Sequence, residues 1–503
     1  MLQTPGRRHR DGRILMAAAN LRRALFITFC SSTGATVLKF IVSILLARIL
    51  SPSEIGVFSM TVVFVNFAHV FRDFGVSQYI QREKDLTPDK LRSAGGVLFS
   101  SSWLLALALY LASGPIGATF DEPQMVPVMQ VLALGFVFIP FGSITNAMLS
   151  RTFQAEKQAY VNAAGTLSYC ASCLVLAKMG FGSLSLAWAN LINILVCVLA
   201  LAPLRQRDMP WLPSFSHWRG VVNFGAGSLI SSTAVAINNA IPDILLGKLG
   251  SASQVGLLSR ANSTVQIFIH IAGSTMTYGA IPYMAQIFHR GDSLAPVLTR
   301  ATVLLTGVGW TALGLTAVLG HDIVLALYGP TWLEAVPAIL PLTLAAASVM
   351  TFQYVSFALT AIGRPYMSAV FTLAVLAARV GFGVWMYDGS LVRFAWAMCL
   401  ATILTMPLRA YMQRRYFDLG IFRLLRALVP SAMVALGTCA TAMLLALALP
   451  SSLASLLRLL AMAPVLAVAW YLLLRLTRHE LLGEVHRLAA PIKTRLALLR
   501  PNP

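Results

Sequence analysis

The sequence predicts an all-α polytopic membrane protein of 14 transmembrane helices. It predicts two six-helix bundles related by a pseudo-two-fold axis along the membrane normal, plus two extra helices. Three observations lead there. Apolar residues fill 57% of the 503 positions and charged residues only 11%, a balance foreign to an ordinary soluble globule. Apolar stretches of about 20 residues, the length that crosses a bilayer, recur along the whole chain. Finally, residues 44–59 return two hundred positions later at 244–259. The copies share an Ile-Leu-Leu run, Ser51/Ser251, Ser53/Ser253, Gly56/Gly256 and Ser59/Ser259, and match in type at Arg48/Lys248, Glu54/Gln254 and Ile55/Val255. Each copy joins two apolar segments through a short polar turn, so the chain reads as two similar halves.

Taken in order, a basic segment at 1–23 precedes the N-terminal bundle, 24–204, with spans at 24–49, 55–71, 93–117, 126–148, 159–178 and 183–204. A linker at 205–220 leads to the C-terminal bundle, 221–411, with spans at 221–247, 256–287, 297–320, 334–361, 366–386 and 390–411. A connector at 412–425 follows, then helices 13 and 14 within 426–476, which pack on the periphery or flank a groove for a lipid tail. The tail, 477–503, mixes Leu with Arg and Lys and reads as an interfacial amphipathic helix. The longest inner loop, 72–92, reads as a charged connector.

An even number of spans puts both termini on one side. Of the 38 Lys and Arg residues, 30 fall on that side and only Arg48, Lys178 and Lys248 on the other, leaving Lys39, Arg260, Arg379, Arg393 and Arg458 in or near the spans. The positive-inside rule makes that side cytoplasmic. The net charge of +20 is thereby a matter of topology, not of nucleic-acid binding. The first apolar segment is too long for a removable signal peptide and lacks a cleavage site; Met1 and Met16 both stand as starts. All six cysteines lie in apolar segments, which implies no disulfide framework, and Cys170-Ala-Ser-Cys173 is read as packing despite its redox spacing.

The chain carries no Asp-x-Asp, no Gly-rich phosphate loop and no His/Asp/Glu cluster, so it is not expected to be an enzyme or to hold a metal or cofactor. A carrier, passive or coupled to Na⁺ or protons, or a structural membrane protein remains. Parallel repeats place a substrate site between the halves near the midplane. Ser32, Thr36, Lys39 and Ser43 share one face of the first helix; Ser228, Ser232, Asn239 and Asp243 share one of the seventh, and the repeat offset aligns Lys39 with Asn239 and Ser43 with Asp243. The hydroxyls serve equally as glue between helices. Lys39 is sharper, because a Lys at the centre of a span costs about 2.5–3.5 kcal/mol. An anionic ligand in a wet cavity would offset that cost, and a Lys point charge suits phosphate. Arg379, mid-span in the eleventh helix, is a second candidate, with a structural ion pair as its alternative.

Asp243 and Arg260 flank the second repeat copy and are expected either to pair with each other or to serve a cation site. Pro242 frees a carbonyl one turn earlier, near Asn238 and Asn239, and carbonyls, amides and a carboxylate suit Na⁺. His69, on one face with Asn66 and Asp73, and His270 are candidates for a proton relay or for plain interhelical hydrogen bonds.

The stretch Leu46-Ala-Arg-Ile-Leu-Ser-Pro-Ser-Glu-Ile-Gly56, after an apolar helix, resembles the N-terminal signature of Wzx-type flippases for lipid-linked oligosaccharides, in the multidrug/oligosaccharidyl-lipid/polysaccharide exporter superfamily. Asp73-Phe74-Gly75, Leu149-Ser150-Arg151, Gly256-Leu-Leu-Ser-Arg260 and Tyr328-Gly-Pro-Thr-Trp332 fall where that family has similar short motifs. The resemblance implies export of undecaprenyl-diphosphate-linked oligosaccharide repeat units across a bacterial inner membrane by alternating access, for exopolysaccharide or lipopolysaccharide biosynthesis. It implies membrane lipids, a polysaccharide polymerase and chain-length machinery as partners. The chain departs from the family in its few deep cations. A cation-coupled drug or small-molecule antiporter of the same superfamily and a non-transporting scaffold are the rival readings.

Overall fold

The computed structural model describes residues 30–73, 75–83, 85–152, 154–205, 214–216, 218–277, 280–364, 366–450 and 453–484, with 27 and 487. Every regular element among them is helical. Helix α1 runs Cys30–Ala47. It is followed by α2 (Pro52–Asp73), α3 (Val76–Arg82), α4 (Pro88–Thr119), α5 (Met125–Arg151), α6 (Ala155–Lys178), α7 (Ser183–Leu201) and α8 (Trp218–Leu249). Then come α9 (Ala252–Thr277), α10 (Ala280–His289), α11 (Ala295–Val318), α12 (Gly320–Leu327), α13 (Val336–Thr351) and α14 (Gln353–Ala361). The last are α15 (Tyr366–Met386), α16 (Leu391–Leu404), α17 (Met406–Phe417), α18 (Ile421–Ala448) and α19 (Ser455–Leu476). Among the described residues, 11 helical segments are long and apolar enough to cross a membrane.

The chain divides into two units, Met1–Ile237 and Asn238–Pro503, the boundary falling inside α8. In the first, α2 packs on α4, α5 and α7, α4 on α5, α5 on α7, and α6 on α7. In the second, α9 packs on α11, α13 and α16, α11 on α13, α13 on α16, and α15 on α16. Each unit thus has the same pairings in the same chain order. In the second unit α18 also packs on α11, and α19 on α18 and α12.

The repeated turn starts a helix in both units for one reason. The Ser51 hydroxyl accepts from the Glu54 N–H at 3.3 Å while the Glu54 carboxylate accepts from the Ser51 N–H at 2.7 Å, a capping box with Pro52 at the first helical position. In the second copy the Gln254 N–H donates to the Ser251 hydroxyl at 3.3 Å. The residue three after the serine then reaches the same kind of place in each unit. Glu54 lies against Gly182 in the α6–α7 turn, where a Cβ would sit 2.5 Å from the carboxylate. The Gln254 amide donates to the Gly389 carbonyl at 2.6 Å and accepts from the Tyr387 hydroxyl at 2.8 Å, in the α15–α16 turn.

Several expected elements differ. The loop at 72–92 contains α3, whose Val76, Tyr79 and Ile80 are buried against Leu91, Ala94, Leu98, Ile144 and Ala147. The expected tenth span is one membrane-length segment, Pro330–Ala361, with a one-residue turn at Phe352 between α13 and α14. The twelfth is likewise one segment, Leu391–Phe417, with a turn at Thr405 between α16 and α17, where Pro407 lacks the N–H that would reach Ile403. Between α11 and α13, α12 and a 3₁₀ turn at Pro330–Ala335 bury Trp332 completely. Arg458 of α19 pairs with the buried Asp322 of α12 at 3.4 Å and donates to the Ala446 carbonyl of α18, which ties the last two helices to the second unit. Behind α19 the chain is not wholly interfacial. His479 is buried against Gly307 of α11, its Nε2 2.9 Å from the Ser431 hydroxyl of α18.

Candidate functional site

In the first unit Lys39 projects, exposed, from the middle of α1. Among the described residues it has no ion-pair partner; its ammonium lies 5.8 Å from the centre of the Tyr169 ring of α6. A cation–π contact at an exposed site contributes about 0.5–1 kcal/mol, well short of the roughly 2.5–3.5 kcal/mol that a central Lys costs. The contacts among the described residues therefore leave most of that cost unmet. Ser32 and Thr36 are exposed on the same helix, but the Thr36 hydroxyl donates to the Ser32 carbonyl at 2.9 Å, which spends its proton within the helix. Ser43 is half-buried and already engaged.

At the end of α2, the Arg72 guanidinium donates to His69 Nδ1 at 2.9 Å and to the Asp73 carboxylate at 2.6 Å, and the imidazole stacks on Phe136 at 4.5 Å between centroids. A guanidinium only donates, so His69 accepts at Nδ1 and keeps its proton on Nε2. A relay through this ring would have to break the Arg72 bond each time. Phe74 and the side chains of Ser228, Ser232 and His270 lie outside the described residues.

In the second unit the sequence candidates meet in unforeseen pairs. Pro242 offers no N–H to the Asn238 carbonyl one turn earlier. Arg379 of α15 takes that place, donating through Nη1 to the carbonyl at 3.0 Å and to the Asn238 side-chain oxygen at 3.4 Å. The freed carbonyl is therefore engaged with a guanidinium, whose positive charge disfavours a cation at the same oxygen. Asn239 is exposed and Asp243 half-buried one turn further on.

The ion pair expected between Asp243 and Arg260 is absent among the described residues. Arg260, buried in α9, instead lies 5.7 Å from the ring centre of Tyr328 and 5.4 Å from that of Trp332. The reason is electronic and steric: two aromatic faces beside α12 offer the guanidinium a desolvated seat, and Thr264, one turn along α9, donates to the Tyr328 hydroxyl at 3.4 Å to hold it. The two motifs around Arg260 and Tyr328–Trp332 thus complete one packing unit. Sequence reasoning missed Tyr169 and also Arg409, whose guanidinium lies 5.4 Å from the Phe371 ring centre. Neither has a sequence signal, since each depends on which helix faces which.

The profile of a family described as polysaccharide biosynthesis protein matches residues 45–337. The chain is 23% identical over 383 residues to the succinoglycan biosynthesis transport protein ExoT of Rhizobium meliloti (strain 1021), covering 75% of this chain and 76% of that one. It is 23% identical over 394 residues to the teichuronic acid biosynthesis protein TuaB of Bacillus subtilis (strain 168), covering 75% and 78%. Among solved structures it is similar to the lipid II flippase MurJ in an inward closed conformation, with TM-score 0.71 and 12% identity over 90% of this chain and 99% of that one. It is also similar to an inward-facing multidrug resistance MATE family transporter of the MOP superfamily, with TM-score 0.59 and 15% identity over 76% and 94%. At those identities the two structures share the fold.

Proposed function

We infer the function from one premise: this chain belongs to the polysaccharide biosynthesis protein family, whose profile covers residues 45–337. We propose that it is a flippase, not an enzyme, and carries undecaprenyl-diphosphate-linked oligosaccharide repeat units across a bacterial inner membrane for surface polysaccharide assembly. The observation that carries the reading is Lys39, a mid-span ammonium with no acidic partner among the described residues, which lies near Tyr169, Cys170 and Cys197. A diphosphate supplies the charge that this position lacks, and a Lys point charge recognises phosphate without fixing the sugar. Asn239, Ser32 and Thr36 are exposed polar groups suited to hydroxyl-rich cargo.

In this reading the chain has 14 spans in two bundles related about the membrane normal. Supporting it, α8, α9 and α15 are helices of 32, 26 and 21 residues beyond the 11 counted. Both termini are cytoplasmic, as the basic residues require, and the domains follow the boundaries given by the spans. Transport cycles by alternating access, and Asp243 is the coupling carboxylate for Na⁺ or a proton, without the Asn238 carbonyl. A polymerase and chain-length machinery receive the product. The test is reconstitution: purified protein in proteoliposomes should make lipid-diphosphate oligosaccharide on the inner leaflet accessible to an external glycosidase. Accessibility no faster than in protein-free liposomes would refute the proposal.

A further inference from the structure

The second unit also holds an open cleft of about 700 Å³, lined in part by Ser293, Arg300, Leu419, Arg423 and Glu480. None of the candidate transport residues lines it. It lies where α11 and α18 begin, and both are long enough to span a membrane, so it sits at the depth of lipid headgroups. Its charge is lopsided. Arg423 is exposed and has no ion-pair partner among the described residues. Arg300 reaches Glu484 at 3.1 Å and Glu480 only at 3.9 Å; Arg300 and Glu480 are exposed and Glu484 is half-buried at the surface. Surface pairs of this kind are weak and exchange easily. Ser293 accepts from the Ala295 N–H at 3.3 Å, which leaves its own O–H to donate. Two guanidiniums and a hydroxyl thus share the cleft wall with one carboxylate, and Glu484 holds Arg300 from beside it.

An apolar track leads away from this basic mouth. Phe422, Leu425 and Val429 follow on one face of α18 and are 85%, 49% and 50% exposed. A phosphate held beside an exposed apolar track is the shape of an anionic phospholipid. We propose that the cleft binds the phosphate headgroup of such a lipid through Arg423 and Arg300, with an acyl chain along Phe422, Leu425 and Val429. Glu484 and, at longer range, Glu480 compete with the phosphate for Arg300 and so limit affinity.

The test is native mass spectrometry of the full-length protein in detergent, equilibrated with phosphatidylglycerol, with zwitterionic phosphatidylcholine, or with soluble glycerol 1-phosphate. Phosphatidylglycerol should be retained over phosphatidylcholine. Arg423→Gln and Arg300→Gln should each weaken its retention about fivefold, the effect of one basic side chain at an anionic surface. Glu480→Gln should strengthen it, a gain that misfolding cannot mimic. Equal retention of both lipids, or phosphatidylglycerol retention unmoved by all three substitutions, would overturn the site. Glycerol 1-phosphate binding as tightly as the lipid would overturn the lipid assignment and mark a soluble phosphate as the ligand.

Discussion

Replacing Arg379 by Leu should destabilise the second unit through one backbone atom, the Asn238 carbonyl. In an unbroken helix that carbonyl would accept from residue 242; Pro242 has no N–H, and Arg379 Nη1 stands in at 3.0 Å. A carbonyl left unsatisfied costs about 1–3 kcal/mol, and hydrogen bonds inside membrane proteins average about 0.6 and reach about 1.7 kcal/mol. Arg379→Leu should therefore cost about 1–2 kcal/mol. Pro242→Ala restores the N–H, so the helix can satisfy the carbonyl itself. On that background Arg379→Leu should cost less than about 0.5 kcal/mol, a coupling of about 1 kcal/mol between the two positions. The cycle is read from SDS-titrated unfolding in mixed micelles. Costs that add to within about 0.3 kcal/mol would mean that Arg379 does not serve this carbonyl.

Arg260→Met should cost about 1–2 kcal/mol by removing the guanidinium from Tyr328 and Trp332. Asp243→Asn should neither add to nor recover that cost, and recovery in the double variant would restore the ion pair to consideration. Burial pushes the His479 imidazole below its ordinary pKa, with Glu480 opposing. The neutral ring is the docked form, so docking of 477–484 is strongest above the unfolded pKa of about 6.5 and weakens as pH falls below it. Amide exchange in that segment, corrected for the intrinsic rate, should accelerate between pH 7.5 and 5.5 in the parent and stay flat in His479→Gln; a flat parent profile would contradict the docking.

The spans were legible because a run of apolar residues as long as a bilayer is thick rarely occurs in a chain that stays in water. The repeat was legible because a capping serine and its partner three residues on recur at Ser51/Glu54 and Ser251/Gln254. What each partner reaches, Gly182 in one unit and Gly389 in the other, depends on packing that no local pattern encodes. Pro242 announced a freed carbonyl, and the structure has one, but its occupant Arg379 comes from a distant helix. Nearness in sequence makes Asp243 one of the two expected roles for Arg260, whereas Tyr328 and Trp332, remote in sequence, lie against it. Helix α3 is short and set among polar residues, and α12 has eight residues and follows apolar α11 with only Leu319 between them, so neither stands out in a hydropathy window. His479 looked like one more polar residue of a basic tail, and nothing local marks its insertion beside Gly307.

The central claim, that Lys39 meets a diphosphate, is tested most directly by the Lys39→Ala and Lys39→Arg variants in an export-deficient strain. Removing a mid-span charge eases insertion, so the Ala variant should accumulate in the membrane like the parent and yet fail to export repeat units. The Arg variant should keep partial activity, since it preserves the charge but presents a broader, forked donor. An Ala variant that restores export as well as the parent would contradict the claim and make Lys39 a residue of structure alone.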